Sequence, residues 1–460
     1  MLVVHSAYDQ SELARYPYDD AAAVDAMLAT AAKLAAKPLP AAERIAILEK
    51  AIELGRPRVD ALALDIAREG GKPLVDARVE IERGLEGIAN AIETLRTESG
   101  REIPMNLGAR STGRLAFTTR EPIGVVVAVS AFNHPFNLIV HQVIPAVAVG
   151  CPVIVKPAGT TPISCFNLVN LLREAGLPEE WCQVAILQTE NATKLVTDPR
   201  VAFFSFIGSS RVGWMLRSKL APGARCALEH GGVAPVIVAA DAELDAAIPS
   251  LVKGGYYHAG QVCVSVQRVY VHEGIFDDFK ARFTEAVAKL KVGDPTSAET
   301  EVGPLITPKE VERVDQWVRE AIDAGAECTT GGQVISATTY APTVLVNPPE
   351  QASVSRNEVF GPVVCLYTYS DIQDAIARAN ALDVAFQSAV FTANIDTALS
   401  AAKGLAASAV MVNDHTAFRV DWMPFAGQRT SGHGTGGIPY TMHEMTQEKL
   451  IVFKSPALEP

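Results

Sequence analysis

Residues 152–206 read PVIVKPAGTTPISCFNLVNLLREAGLPEEWCQVAILQTENATKLVTDPRVAFFSF. Three short apolar runs, PVIVKP at 152–157, CQVAIL at 182–187 and AFFSF at 202–206, are separated by stretches with helical spacing. Apolar runs of that length suit strands buried on both faces, and their alternation with helices suits a parallel sheet. Upstream, the stretch from 112 to 130, TGRLAFTTREPIGVVVAVS, is strand-like; downstream a helix begins near Ser209 and APVIVAA follows at 234–240. The pattern then recurs, with strands expected near 267–272, 363–369, 387–391 and 408–412. Asp371 is placed to cap a helix over 372–380, and Gly404 to end another. Residues 20–99 are rich in Ala, Leu, Glu and Arg and predict several helices, interrupted at Gly70-Gly71-Lys72-Pro73. The expected fold class is therefore α/β, with a nucleotide-binding type of unit followed by a related one and a boundary near 231.

A chain of 460 residues exceeds what one hydrophobic core serves, so two or three domains are expected. Hydrophobic content of 48% with 20% charged residues is that of an ordered globular protein. The net charge of -12 disfavours nucleic acid as a partner, which needs a basic face, and leaves a small molecule as the default. The most apolar stretches, 123–132 and 138–155, are broken by Asn133, His134, His141, Gln142 and Pro145, so no membrane span is expected. The first residues lack the basic and apolar regions of a secretory leader. The seven cysteines form no CxxC pair and no zinc-spaced cluster, which predicts no metal and a reducing, cytoplasmic setting.

Five local patterns carry chemistry. Asn133, in SAFNHPFN between a strand and a helix, could offer its amide to a developing oxyanion, although an Asx turn before Pro135 would use the same residue. Gly208 and Ser209 leave a strand and open a helix, where backbone N–H groups can face a pyrophosphate. Glu229, in Glu229-His230-Gly231-Gly232, could act as a general base in a crevice. Cys263, in Gly260-Gln261-Val262-Cys263, stands at a helix-to-strand junction where a thiol can be exposed and activated. Glu358, in Glu358-Val359-Phe360-Gly361-Pro362, could accept from ribose hydroxyls.

In order and spacing these patterns resemble the aldehyde dehydrogenase superfamily along nearly the whole chain. The further segments Lys156-Pro157-Ala158-Gly159-Thr160-Thr161-Pro162 and Pro424-Phe425-Ala426-Gly427-Gln428-Arg429-Thr430-Ser431-Gly432 complete seven motifs in family order. The resemblance implies a Rossmann-like cofactor domain (1–103 and 123–231), a related α/β catalytic domain (232–430) and a β-strand oligomerisation arm (104–122 and 431–460). It implies NAD or NADP as cofactor and a homodimer or homotetramer. Cys263 would be the nucleophile, Asn133 the oxyanion donor and Glu229 the base that activates water, with Lys156 completing the catalytic set. Lys156, Gly159, Gly208, Ser209, Glu358 and Phe360 would contact the cofactor. Gly159 stands where NAD-preferring relatives carry an acid, which favours NADP, while Glu190 in the altered turn Gln188-Thr189-Glu190-Asn191 offers an acid from elsewhere. His134, Phe418 and Arg419 would meet substrate, and an arginine with an imidazole suits a short anionic aldehyde. The loop at 412–424 and the AFNHP segment resemble the phosphonoacetaldehyde and lactaldehyde branch. Two rival readings are a CoA-acylating member, against which Glu229 argues, and a catalytically silent member. The short N-terminus predicts the loss of an early edge strand, and His230 replaces a usual leucine beside the base.

Overall fold

The computed structural model describes residues 1–459. Its first large sheet has the order Gly432–His433, Arg225–Glu229, Val201–Ile207, Val125–Val129, Val153–Lys156, Cys182–Val184. All neighbours run parallel except Gly432–His433, which is antiparallel to the strand ending at Glu229. Winding therefore starts at Val125–Val129 and reverses direction between that strand and Val201–Ile207. Loops leaving the carboxyl ends of strands beside such a reversal diverge and open a crevice. Asn133 follows one of these strands; Gly208 and Ser209 follow the other.

The helix Asn137–Val149 is buried at every residue and mostly apolar, and its polar members Asn137, His141 and Gln142 find partners in Asp421 and Ser205. It lies between the sheet and the long helix Leu74–Thr97. Gly84 makes that contact possible, because a Cβ there would fall 2.7 Å from Phe136 Cε1. A helix-interior glycine costs about 1 kcal/mol relative to alanine, and here the close approach sets the neighbouring Arg83 against the crevice.

The second large sheet has the order Glu327–Thr330, Thr343–Val346, Val363–Tyr369, Arg268–His272, Pro235–Val238, Gln387–Phe391, Ala409–Val412. Only its first pair is antiparallel. Every strand expected after residue 231 belongs to it. Asp371 accepts a hydrogen bond from the Gln373 N–H at 2.9 Å, and a helix ends at Gly404.

Two boundaries differ from expectation. Thr446–Lys454 pairs antiparallel with Arg114–Pro122 along its whole length, and Glu102–Ile103 adds a third strand, so this arm takes in residues before 104. Residues 431–445 do not belong to it: Gly432–His433 extends the first sheet, and Ile438 and Met442 of the helix Ile438–Glu444 are buried in the core beneath it. The N-terminal residues also form strands, contrary to expectation. Leu2–His5 and Glu12–Tyr16 pair with each other in a hairpin rather than joining either large sheet.

Candidate active site

The crevice deepens into a cavity of about 410 Å³ closed by loops of the second unit. Asn133, Gly208, Ser209, Glu229, Cys263, Glu358 and Phe360 all line it, as do His134 and Arg419. These residues come from six separate segments of the chain. Gly231 and Gly436 allow the two carboxyls to sit there, since a Cβ at Gly231 would overlap the Glu358 carboxylate and one at Gly436 that of Glu229. The loop before Cys263 is held in a left-handed turn, with φ of 49° at His258 and 54° at Ala259. Its Gln261 carbonyl accepts from Asn133 Nδ2 at 2.9 Å, which fixes that amide's plane and leaves its second hydrogen free.

Electrostatics at this site are governed by the burial of its ionisable groups among protein atoms. Burial pushes the Cys263 thiol up to about 12; the Glu358 and Glu229 carboxylates add to the rise and Arg419 opposes it. Burial raises Glu358 to about 8, against the Gly232 N–H and Arg313, and its Oε1 is buried without a partner. Glu229 is raised by burial, with Arg419 again opposing. Arg419 is therefore the cation that holds the thiol and the base toward their charged forms.

The structure resolves what Arg419 touches. It makes no ion pair with Asp414 or Asp421: its Nη2 donates to His141 Nδ1 at 3.2 Å, and the guanidinium carbon lies 3.6 Å from the Phe425 ring centre. Because Arg419 can only donate, His141 is neutral with its proton on Nε2, which donates to Asp421 at 2.7 Å. Asp421 is held far below the usual carboxylate range despite burial, chiefly by His141, with Arg83 and Arg419 beside it. Arg83 donates to both its oxygens, at 3.2 and 2.7 Å. His134 Nε2 lies 2.9 Å from the Tyr257 hydroxyl, and burial with Lys72, His258, Arg83 and Arg419 nearby keeps that imidazole neutral.

Three expected residues stand apart. Phe418 is 42% exposed and does not line the cavity, because Ala417 and Arg419 on either side turn inward. Lys156 and Gly159 lie just beyond the rim, at the end of the strand Val153–Lys156, where only Ala158 reaches the cavity. Lys156 Nζ donates to the Pro157 carbonyl, and Glu190 pairs with Lys194 on the exposed face of its helix, away from them. His230 turns from Glu229 to bond the Gly208 carbonyl at 2.8 Å through Nδ1, filling the space left by Gly213. Sequence reasoning missed Arg83, Tyr257 and the His141–Asp421 pair. Gly84 and Gly87, two glycines inside one helix, were the available signal for Arg83.

Two parallel-sheet units sharing one enclosed, polar-tipped cavity define an α/β enzyme. The chain belongs to the aldehyde dehydrogenase family, whose model (Aldehyde dehydrogenase family) matches residues 1–451. It is similar to the 3-sulfolactaldehyde dehydrogenase of Priestia aryabhattai, with 39% identity over 89% of this chain and 86% of that one. It is also similar to the crystal structure of aldehyde dehydrogenase 21 from Physcomitrella patens in complex with the reaction product succinate. There the TM-score is 0.95 and the identity 35%, over 98% of this chain and 95% of that one. Glyceraldehyde-3-phosphate dehydrogenase from Methanocaldococcus jannaschii, complexed with NADP, matches with a TM-score of 0.94 and 33% identity over 99% of both chains.

Proposed function

We propose that this aldehyde dehydrogenase oxidises a short anionic aldehyde to its carboxylate through a covalent intermediate on Cys263. The observation that carries the reading is the convergence on one cavity of thiol, amide, carboxyl and an arginine that makes no ion pair among the described residues. The Cys263 thiol gives its proton to Glu229, which returns it to solvent before acting again, and the sulfur attacks the aldehyde carbon, giving a thiohemiacetal whose oxyanion is held by Asn133 Nδ2 and the Cys263 backbone N–H. NAD or NADP, when bound, supplies the hydride acceptor. Gly208 and Ser209, at the start of the helix Ser210–Arg217, suit its pyrophosphate, and the unpartnered Glu358 Oε1 suits a ribose hydroxyl. Phe360 lies beside that carboxyl on the same wall, and Lys156 and Gly159 flank the rim at the adenosine end.

Loss of hydride leaves a thioester on Cys263. Glu229, raised by burial toward the range of a working base, takes a proton from the water that hydrolyses it. A carboxyl placed in the cavity supports hydrolysis over transfer to CoA. Arg419 and Arg83, with His134, form the end of the cavity suited to the anionic head group. The relatives named for sulfolactaldehyde and bound to succinate carry or release such groups. The arm, with Leu450, Val452 and Phe453 exposed, supports assembly with further copies of the chain.

Rapid mixing of enzyme, cofactor and aldehyde tests the mechanism. Cys263→Ala is expected to abolish reduction while cofactor binding persists. Glu229→Ala is expected to give one burst of reduced cofactor per site followed by slow turnover. Wild-type turnover in Cys263→Ala would refute the reading.

A further inference from the structure

The charges around the head-group end of the cavity can be counted. Arg83 is matched by Asp421, and Lys72 by Glu80, both of these last two fully buried. Lys253 is matched by Asp76 at 2.6 Å. His141 is neutral and stands as a spacer between Arg419 and Asp421. Arg419 therefore remains the unmatched cation of this recess among the described residues, and its Nε is buried without a partner. Glu229 and Glu358 face the same cavity, and their ionisation can only subtract from its positive charge.

We infer that the recess is matched to a head group with a single negative charge, a sulfonate or carboxylate, and discriminates against a doubly charged phosphonate or phosphate. This narrows the anionic-aldehyde reading and rests on it. A second negative charge removed from water would need a second cation. His134 is the imidazole lining this end of the cavity that could supply it, with His258 behind it, ring centres 6.3 Å apart. Every element packed on it opposes that: Lys72 ahead of the long helix, Arg83 within it, His258 in the left-handed turn and Arg419 in the last loop. Tyr257, hydrogen-bonded to His134, is neutral and has ammonium groups near its ring, Lys253 at 5.0 Å and Lys72 at 5.8 Å.

The test uses two-carbon aldehydes bearing a sulfonate or a phosphonate, which share a tetrahedral head, with 3,3-dimethylbutanal as the neutral isostere. At about pH 8.5 the phosphonate is a dianion, and near pH 6, about where a phosphoryl group takes up its second proton, a large share carries one charge. The sulfonate is expected to exceed the phosphonate in kcat/KM by about 30-fold or more at the higher pH, and the ratio to shrink severalfold at the lower. Taking the ratio at each pH cancels the enzyme's own profile. Asp421→Asn frees the Arg83 charge and is expected to move the high-pH ratio toward the phosphonate by about tenfold. Should that variant not fold, the wild-type pH series decides by itself. A phosphonate equal or preferred at high pH, with both anions outrunning the neutral aldehyde, would overturn the single-charge inference and leave the anionic reading standing. A neutral aldehyde outrunning both anions would overturn the anionic reading as well.

Discussion

Replacing Arg419 by methionine removes its charge while keeping an unbranched stem to cover Phe425, against which the guanidinium packs at 3.6 Å. Two separate losses are expected. The first is specific to the head group. Arg419 gives up no ion pair to meet substrate, only a hydrogen bond to a neutral imidazole, so nearly the full interaction with an anion is lost. Two unit charges about 4 Å apart at an effective dielectric near 20 interact by roughly 4 kcal/mol, and residual hydration reduces this to about 2–4 kcal/mol. That corresponds to a fall of about 30- to 1000-fold in kcat/KM for a sulfonated aldehyde. The second loss is shared by all substrates. Arg419 opposes the rise in both Cys263 and Glu229, so without it both groups titrate higher and the active limb of the pH profile moves to higher pH. A neutral aldehyde of the same length isolates this second loss, and the ratio of the two substrates isolates the first. Equal losses on both substrates, at a pH where each profile has levelled, would refute the head-group role.

Three further outcomes are expected. Gly159→Glu places an acid near Lys156, and the ratio of kcat/KM for NADP over NAD is expected to fall by about tenfold through repulsion of a 2′-phosphate; an unchanged ratio would move adenosine recognition elsewhere. Glu358→Gln removes the carboxylate that most raises the thiol, so Cys263 in cofactor-free enzyme is expected to alkylate faster with iodoacetamide at about pH 8, its pKa having fallen. His141, held down to about 4 by burial and Arg419, is uncharged in the folded state while its unfolded counterpart takes up a proton below about 6.5. The unfolded chain then binds more protons between those values, so stability is expected to fall with pH by about 1.4 kcal/mol per unit from this group. Urea midpoints from pH 7 to 5 for wild type and His141→Asn would show it as a steeper slope in wild type.

The sheets were legible because strands buried on both faces are nearly continuous in Val, Ile and Phe, as at 125–129 and 201–207. Glu327–Thr330 was not, being a short edge strand with two threonines and partial exposure; nor were Arg225–Glu229, which opens on an exposed arginine, and Thr343–Val346, which is buried throughout but only four residues long. The motif residues Cys263, Glu229, Asn133 and Glu358 stood out because each sits at a glycine- or proline-marked junction, where periodicity breaks. Arg83 was marked only by its neighbours Gly84 and Gly87: in RVEIERGLEG charges fall on several faces of the helix, and packing decides which one looks inward. Phe418 failed in the opposite sense. An aromatic in a loop expected to line a tunnel suggests the wall, yet the chain turns at Thr416-Ala417, with the Phe418 N–H donating to the His415 carbonyl, and its two neighbours took the inward positions.

The strand Gly432–His433 has a consequence for how the protein is made. It pairs with Leu228 and Glu229, about 200 residues earlier in the chain, and Gly436 provides the space in which the Glu229 carboxylate lies. During synthesis the first sheet can assemble its five parallel strands once residue 229 has emerged, but the edge beside Glu229 stays open until residues 432–433 are made. At about 5–20 residues per second this interval lasts on the order of ten seconds or more. Over that time the Glu229 carboxyl lacks the seat that Gly436 provides, while Cys263, Glu358 and Arg419 are added in turn. A nascent chain arrested short of residue 432 would lack the strand beside Glu229 and the glycine that seats its carboxyl, and is expected not to turn over.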